Sequence, residues 1–481
     1  MSYSPVIGLE IHCQLATKTK MFCGCKIEVN TEPNKNVCPG CLGFPGTLPV
    51  PNKEAVNLAI KLGLALNCEI ETHALWTRKN YFYPDLPNGY QITQIGTIPA
   101  FDHPICKKGF VEIVLESGEK KRIGINHIHM EEDAGKLVHD FSPESSHFDA
   151  NRCGTPLCEI VTEPDIRSPE EAVLVLQKIK QILEYTGASN ANMENGNLRC
   201  DGNVSIRKGE DAPFGTRVEI KNLNSFSYLQ KALEVEMALQ AVTLDSGKLV
   251  EQCTKRFDTN QNKTVTIRRK EDAHDYKYFP EPDMLRLIVD QSHIDSIKQN
   301  MPELPDARRS RFESDFGLST YDAQVLTADK EVSDWFDTAS KTCKNPKLLA
   351  NWVTSELMRE LKEMEGGISA LKFKAEDLAQ MVNLIENNTI SGKIGKTVFA
   401  EMLATGKDPD TIVKEKGLVQ ITDTSEIEAI VRKVIEANQG QWQEFKGGKA
   451  QLRGFFVGQI MKNSGGKANP GVVNRLLDEI G

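Results

Sequence analysis

The sequence predicts an α+β protein: a mixed, strand-rich N-terminal cradle followed by helical parts. Up to about residue 290, short runs rich in β-branched residues recur with partial alternation: VIGLEIHCQL, GFVEIVLE, KRIGINHIHM, LCEIVTE, NVSIR, TRVEIKN and TVTIRR. Beyond Pro305 strand signals nearly vanish, and apolar residues fall at helical spacing, as in Leu348 to Lys362 and Ala375 to Glu386. No regular strand–helix alternation points to parallel winding, so α+β is favoured over a doubly wound sheet. Within the first part, helices are expected from Lys53 to Leu66, from Pro169 through Tyr185, and from Ser227 to about Leu244. The proline suits a first helical position because its missing N–H would have no partner there.

A chain of 481 residues exceeds a single core. The pattern changes divide it into residues 1–295, 296–405 and 406–481, with the turn-rich ATGKDPD stretch (Ala404 to Asp410) as the second linker. The tail should close with two helices around the KNSGGKANP loop.

Composition excludes several classes. With 40% hydrophobic and 26% charged residues the chain is neither largely disordered nor collagen-like. No run reaches the ~20 apolar residues a membrane helix needs. MSYSPVIGLEIHC has no basic region ahead of an apolar core, so a cytosolic location is expected. A net charge of −9 argues against non-specific coating of nucleic acid. From Gln441 onward, however, six Lys/Arg face three acids. That segment suits either phosphate contact or an ordinary solvated helix face.

Of twelve cysteines, four cluster as Cys23-Gly-Cys25 and, after twelve intervening residues, Cys38-Pro-Gly-Cys41. Two short pairs across a loop can supply the four tetrahedral thiolates of a zinc site, and Gly24, Pro39 and Gly40 favour the tight turns required. Such a site is structural, because four thiolates leave no position for an activated water. The alternative is four free thiols.

The acids carry the remaining signal. Glu10 and His12 lie two apart in a strand-like run, so both share one face while Ile7, Leu9 and Ile11 take the other. They suit metal binding or proton transfer, or a simple surface pair. HMEEDAGK places Glu131, Glu132 and Asp133 after a strand-like run. These acids suit Mg²⁺, which prefers oxygen ligands, or else the N-terminus of a helix. Asp201 and Glu219 are acids flanked by apolar strand residues, which is unusual unless that face is wet. Arg78 and Lys79 adjoin Tyr81, Phe82, Tyr83 and Tyr90, as a phosphate or base cradle or as an aromatic mini-core under a loop. The common phosphate-loop, dinucleotide and serine-elbow motifs are missing.

Taken together, these segments resemble the GatB family. FDANRCGTPLCEIVTEPD (Phe148 to Asp165) fits its signature D-x-N-R-x-G-x-P-L-x-E-I-V at each defined position, and IGLEIHCQL, RKNYFYPDLPNGYQI, HMEEDAGK, LRCDGNVS, EIKNLNSF, DYKYFPEPD and GFFVGQIMKNSGGKANP follow in the family's order. The resemblance implies a cradle, a helical domain and a small tail domain. It also implies a heterotrimer with an amidase subunit (GatA) and a small subunit (GatC), acting on Glu-tRNA(Gln) or Asp-tRNA(Asn). ATP would activate the side-chain carboxylate and ammonia would convert it to the amide. Glu10, His12, Glu131, Asp201 and Glu219 match the catalytic and metal pocket, with Glu10, His12 and Glu131 toward Mg²⁺. Lys79, Glu132, Asn151 and Arg152 are expected around the nucleotide, Asn151 and Arg152 either lining the pocket or bracing it. Cys23, Cys25, Cys38 and Cys41 are expected to hold a scaffold zinc, and Lys462, Lys467 and Asn469 to meet tRNA. The competing reading is a non-catalytic, zinc-containing tRNA-binding scaffold, which would need no acidic pocket.

Overall fold

A computed structural model describes residues 3–28, 31–142, 145–269, 276–421 and 423–480. Asp275, which opens the DYKYFPEPD stretch, lies outside them. The chain divides into two compact units, Met1–Pro305 and Asp306–Gly481.

The first unit is built on an eight-stranded sheet. Its strands in chain order are β1 (Ser4–Gln14), β2 (Gly109–Val114), β3 (Lys120–Glu132), β4 (Pro156–Thr162), β5 (Leu198–Arg207), β6 (Val218–Lys221), β7 (Cys253–Asp258) and β8 (Lys263–Arg269). They are ordered β8-β7-β6-β5-β1-β4-β3-β2. All neighbours are antiparallel except β6 and β7, which the intervening helix joins as a parallel crossover. The seven strand-like runs of the sequence become seven of these strands. The eighth, CTKRFD, carries too few apolar residues to be read in advance.

Alternation along β1 sets the two faces. Ile7, Leu9, Ile11 and Cys13 are buried, while Glu10, His12 and Gln14 are only half-buried on the other side. The apolar face packs against α1 (Lys53–Ala65), α2 (Pro169–Thr186) and α3 (Phe226–Asp245) in one continuous core. Helix α2 illustrates the local logic. The Ser168 hydroxyl accepts from the Glu171 N–H at 3.1 Å, Pro169 takes the first helical position, and Gly187 closes the helix at φ 68°. Its buried stripe of Ala172, Val175, Leu176, Ile179 and Leu183 lies against the sheet. Fully burying each large aliphatic side chain contributes about 1.5–3 kcal/mol. A three-stranded sheet of Thr77–Asn80, Tyr90–Thr93 and Phe279–Pro280 adjoins β3. The helix Gln291–Gln299 still packs on this core through Ile294, so the unit runs to Pro305 rather than ending at 295.

The second unit is helical and contains two cores. The first gathers Phe312, Phe336, Trp352, Val382 and Phe399, and continues through Ile412 and Val413. The packing therefore runs past residue 405, and ATGKDPD is a tight turn between the helices Gly392–Thr405 and Pro409–Glu415. The helix expected from Leu348 to Lys362 is interrupted by a wide turn at Val353–Leu357, where the Thr354 and Ser355 hydroxyls bond back to the Ala350 and Asn351 carbonyls. The second core comprises Ile427, Val431, Trp442, Phe456, Ile460 and Leu477. No helix among the described residues is long and apolar enough to cross a membrane.

Candidate functional site

Strand pairing brings the acids of distant segments onto the sheet's second face. His12 pairs with Glu159 of β4, which pairs with His129 of β3, two residues before Glu131. The resulting group is tight. His12 Nε2 lies 3.1 Å from Glu159 and 3.8 Å from Glu131, and His129 Nε2 lies 3.4 Å from Glu159 and 3.7 Å from Glu131. One ligand atom from each of His12, Glu131 and Glu159 falls within 4.8 Å of the others.

One step along β1, Glu10 pairs with Asp201 of β5. Asn203 of the same strand pairs with Glu219 of β6. Glu10, Asp201 and Glu219 form a second group within 4.8 Å. Lys221 Nζ sits between two of them, 2.7 Å from Asp201 and 2.9 Å from Glu219. The Asn222 N–H donates to Asp201 at 2.9 Å, and Asn203 Nδ2 donates to Glu10 at 2.9 Å.

The electrostatics follow from this crowding. Burial opposes ionisation of Glu159, but His129 and His12 hold it well below the usual carboxylate range. Burial opposes charge on His129 too, yet Glu159 and Glu131 raise it to about 9. Glu10 is pushed up by burial and then by Glu159 and Glu219. Lys79 leans in from the strand Thr77–Asn80. Burial disfavours its ammonium, but Glu131 foremost, then Tyr278 and Glu159, hold it above its ordinary value. Its Nζ lies 5.1 Å from the Tyr276 ring centroid. The neighbouring Arg78 is a strut, forked onto Glu281 at 2.6 and 2.8 Å and stacked on Tyr90.

The donor set fits a hard divalent cation, with carboxylate oxygens in the majority and one imidazole in the first group. Asn203 Oδ1 adds a buried oxygen without a hydrogen-bond partner beside Glu10, free to accept from a metal-bound water.

Not every anticipated residue joins this face. Glu131 is the penultimate residue of β3, at a strand end rather than a helix N-terminus, and as a strand residue it points away from its neighbour Glu132. Glu132 instead accepts from the Ile92 N–H at 3.2 Å and lines a small cavity with Lys20, Cys23 and Cys41, where burial pushes it up to about 7. Asn151 and Arg152 brace rather than line the pocket. Asn151 accepts from the Asn36 N–H at 2.9 Å and donates to the Glu32 carbonyl at 2.8 Å, stitching the cysteine loop to the signature segment. Arg152 donates to the carbonyls of Ala134 and Gly135 at 2.9 and 2.7 Å. Asn469 accepts from the Gly471 and Val472 N–H groups and so caps the last helix. Lys462 is exposed and Lys467 half-buried beside Gly465 and Gly466, which turn at φ 61° and 80°.

Glu159 and His129 were missed. Glu159 occupies a defined position of the signature and is, like Asp201 and Glu219, an acid set among apolar strand residues; the same argument applied to LCEIVTE would have found it.

Cys23, Cys25, Cys38 and Cys41 converge within 4.8 Å and can hold a metal ion. Cys41 is drawn down to about 4 by the hydrogen bond from Cys23, against burial and with help from the Cys38 N–H and Lys20. Lys20, almost fully buried, places its Nζ 3.5 Å from Cys41 Sγ and 3.2 Å from the Ala150 carbonyl. A buried ammonium offsets the negative charge that four thiolates would leave around a dication. The loop also packs tightly. Gly43 turns at φ 70°, and a Cβ there would lie 2.4 Å from Asn88 Oδ1.

The fold and site define a class: an α+β cradle with two carboxylate-rich groups on one open sheet face and a four-cysteine loop at its side. Known proteins identify the family. The family model described as "GatB/GatE catalytic domain" matches residues 5–295, and that described as "GatB domain" matches residues 334–480. The chain is 52% identical to the B subunit of the aspartyl/glutamyl-tRNA(Asn/Gln) amidotransferase of Carboxydothermus hydrogenoformans over 478 residues, covering 99% of this chain and 98% of that protein. The corresponding protein of Geobacter sp. (strain M21) is 51% identical over 480 residues, with 99% of each covered. That of Brevibacillus brevis is 50% identical over 479 residues, with 99% and 98% covered. The chain belongs to the GatB family.

Proposed function

We propose that the chain is the B subunit of a cytoplasmic aspartyl/glutamyl-tRNA(Asn/Gln) amidotransferase, an enzyme that amidates the side-chain carboxylate of Glu-tRNA(Gln), Asp-tRNA(Asn) or both. An amidase subunit releases ammonia from glutamine, and a small subunit completes the heterotrimer. The observation that carries this reading is the pair of adjoining acid groups, His12–Glu131–Glu159 and Glu10–Asp201–Glu219, on one sheet face.

The chemistry explains why such a face is needed. Ammonia cannot displace oxide from a carboxylate. Transfer of the γ-phosphoryl group of ATP to a carboxylate oxygen gives an acyl phosphate, from which ammonia expels inorganic phosphate. Phosphoryl transfer depends on positioning and charge neutralisation more than on covalent help from the protein. Mg²⁺, when bound, supplies positive charge against the phosphate oxygens. His12, Glu131 and Glu159 would hold it in one group, and Glu10 and Glu219, with Asp201, in the other. Lys79 brings a permanent cation to the first group. Arg199 and Gln14 both grip Asp133, at 2.9 and 3.0 Å, and fix the end of that face. Lys462, Lys467 and the surrounding basic tail contact the tRNA body through phosphates.

The direct test assembles the complex and supplies Glu-tRNA(Gln) and Asp-tRNA(Asn) in turn. Amide formation should require ATP and Mg²⁺, releasing ADP and phosphate in step with product. Amide formation without ATP hydrolysis, or none on either tRNA, would refute the reading. Lys79→Met should lower kcat/KM for ATP by about 10²-fold while leaving the partner's glutaminase intact; unchanged kcat/KM would remove Lys79 from the site.

The four-cysteine loop holds structural Zn²⁺ in this reading. Elemental analysis should give about one zinc per chain, lost in Cys38→Ser together with protection of the loop from proteolysis. Well under one equivalent in freshly purified wild-type protein would count against the site.

A further inference from the structure

A basic notch adjoins the second acid group at the free edge of the sheet. Strand pairing aligns Gly8, Asn203, Glu219, Thr254 and Arg268 in one row across β1, β5, β6, β7 and β8. The Thr254 hydroxyl donates to Glu219 Oε2 at 2.7 Å, so the row continues from the acid group to the arginine at the edge. A cavity of about 170 Å³ opens there, with Arg217, Glu219, Cys253, Thr254, Arg268 and Arg269 among its lining residues.

Among the described residues the charge in this notch is unbalanced. Arg217 and Arg268 lie on the side of Glu219, the one carboxylate there, and Glu219 is already engaged by Lys221 and Thr254. Arg269, the next residue along β8, pairs with Cys253 on the opposite face and lies 3.9 Å from the exposed Glu251. Among the described residues, neither Arg217 nor Arg268 has a carboxylate within ion-pair distance. Arginines gathered around a concavity without counter-charges repel one another unless an anion joins them. A guanidinium fork matches the oxygens of phosphate in geometry as well as charge. The cavity is smaller than the ~300 Å³ of a pocket for a drug-sized molecule and suits a single such group.

We propose that Arg217 and Arg268, with Arg269 at the rim of the cavity, form a phosphate subsite that holds a non-reacting phosphate of a substrate beside Glu219. The inference rests on the amidotransferase reading and deepens it. The phosphate belongs either to the nucleotide or to the acceptor end of the tRNA, and the two sources separate kinetically. The competing explanation is that charge on β8 merely protects an exposed sheet edge from pairing with other chains. Any charge would serve that purpose, whereas a phosphate subsite requires a positive one.

The experiment compares Arg268→Ala, Arg268→Lys and Arg268→Glu in the assembled complex, reading kcat and KM separately for ATP and for the charged tRNA. Arg268→Ala should raise one KM by about 10- to 100-fold with kcat little changed. Lysine should restore part of the loss, and glutamate should deepen it. A raised KM for ATP assigns the subsite to the nucleotide. A raised KM for tRNA, with a salt dependence of binding shallower by about one unit, assigns it to the acceptor end. Both KM values unchanged in the alanine and glutamate variants overturn the proposal, as does a fall in kcat alone, which would mark Arg268 as a positioning residue for Glu219. If Arg268→Glu fails to assemble, the alanine and lysine pair decides. Glu131→Gln run in parallel keeps the two ideas apart: inactive Glu131→Gln beside normal Arg268 variants removes the subsite alone, and active Glu131→Gln removes the catalytic assignment.

Discussion

Glu131→Gln is expected to reduce ATP- and Mg²⁺-dependent amide formation on Glu-tRNA by about 10²–10³-fold, with the glutaminase activity of the amidase partner unaltered. Glu131 is buried, 4% exposed, and faces both His12 and His129. Glutamine has nearly the same shape but no charge, so it tests the charge rather than the packing. With the carboxylate gone, the group loses one of its two oxygen anions, and the Lys79 ammonium loses the largest of the charges that raise it. The melting temperature should move little, because His129 and His12 retain Glu159. Normal transamidation by this variant would remove the catalytic assignment of the first group.

Glu159→Gln should be as damaging to amide formation, although the residue was not among those anticipated from the sequence. Glu159 is the central anion of its group, within 3.1 Å of His12 and 3.4 Å of His129. Neutralising it leaves the two histidines, one fully buried, with only the more distant Glu131, at 3.8 and 3.7 Å. A loss of stability should therefore accompany the loss of activity. Leaving a buried polar or charged group without its partner costs about 1–3 kcal/mol or more, so the midpoint of thermal unfolding should fall. The Glu131→Gln, Glu159→Gln double variant should be little worse than either single variant, because residues that act as one unit are strongly non-additive. Multiplicative losses would mean that the two carboxylates act separately.

The contrast between these residues shows what the sequence could reveal. Period-two alternation put Glu10 and His12 on the face opposite Ile7, Leu9 and Ile11, and the strand follows it. The same rule, once Glu131 is known to lie inside a strand, separates it from Glu132. Their acidity alone makes them look interchangeable, because the strand-like pattern ends at Met130 whereas the strand runs on to Glu132. The pairing partners were out of reach: that His12 meets Glu159, or Glu10 meets Asp201, depends on which strands adjoin, and no local pattern encodes that. Asn151, Arg152 and Asn469 are hard to read for another reason. Polar side chains that hold loops by bonding to backbone groups look, in a sequence, like residues awaiting a ligand. The four cysteines needed no tertiary information, since spacing and turn residues already confined them to one loop. Strand β7 was hidden because CTKRFD has only two apolar residues, Cys253 and Phe257, and one of its buried positions is a lysine, Lys255, paired with Glu236.

The central idea, that two acid groups on one sheet face grip a metal–nucleotide, is tested most directly by anomalous diffraction from crystals soaked with Mn²⁺ and a non-hydrolysable ATP analogue. The account predicts manganese bound by His12, Glu131 and Glu159, with the triphosphate running toward Glu10, Asp201 and Glu219. Nucleotide and metal bound together at any other place in the chain, with this face left bare, would contradict it.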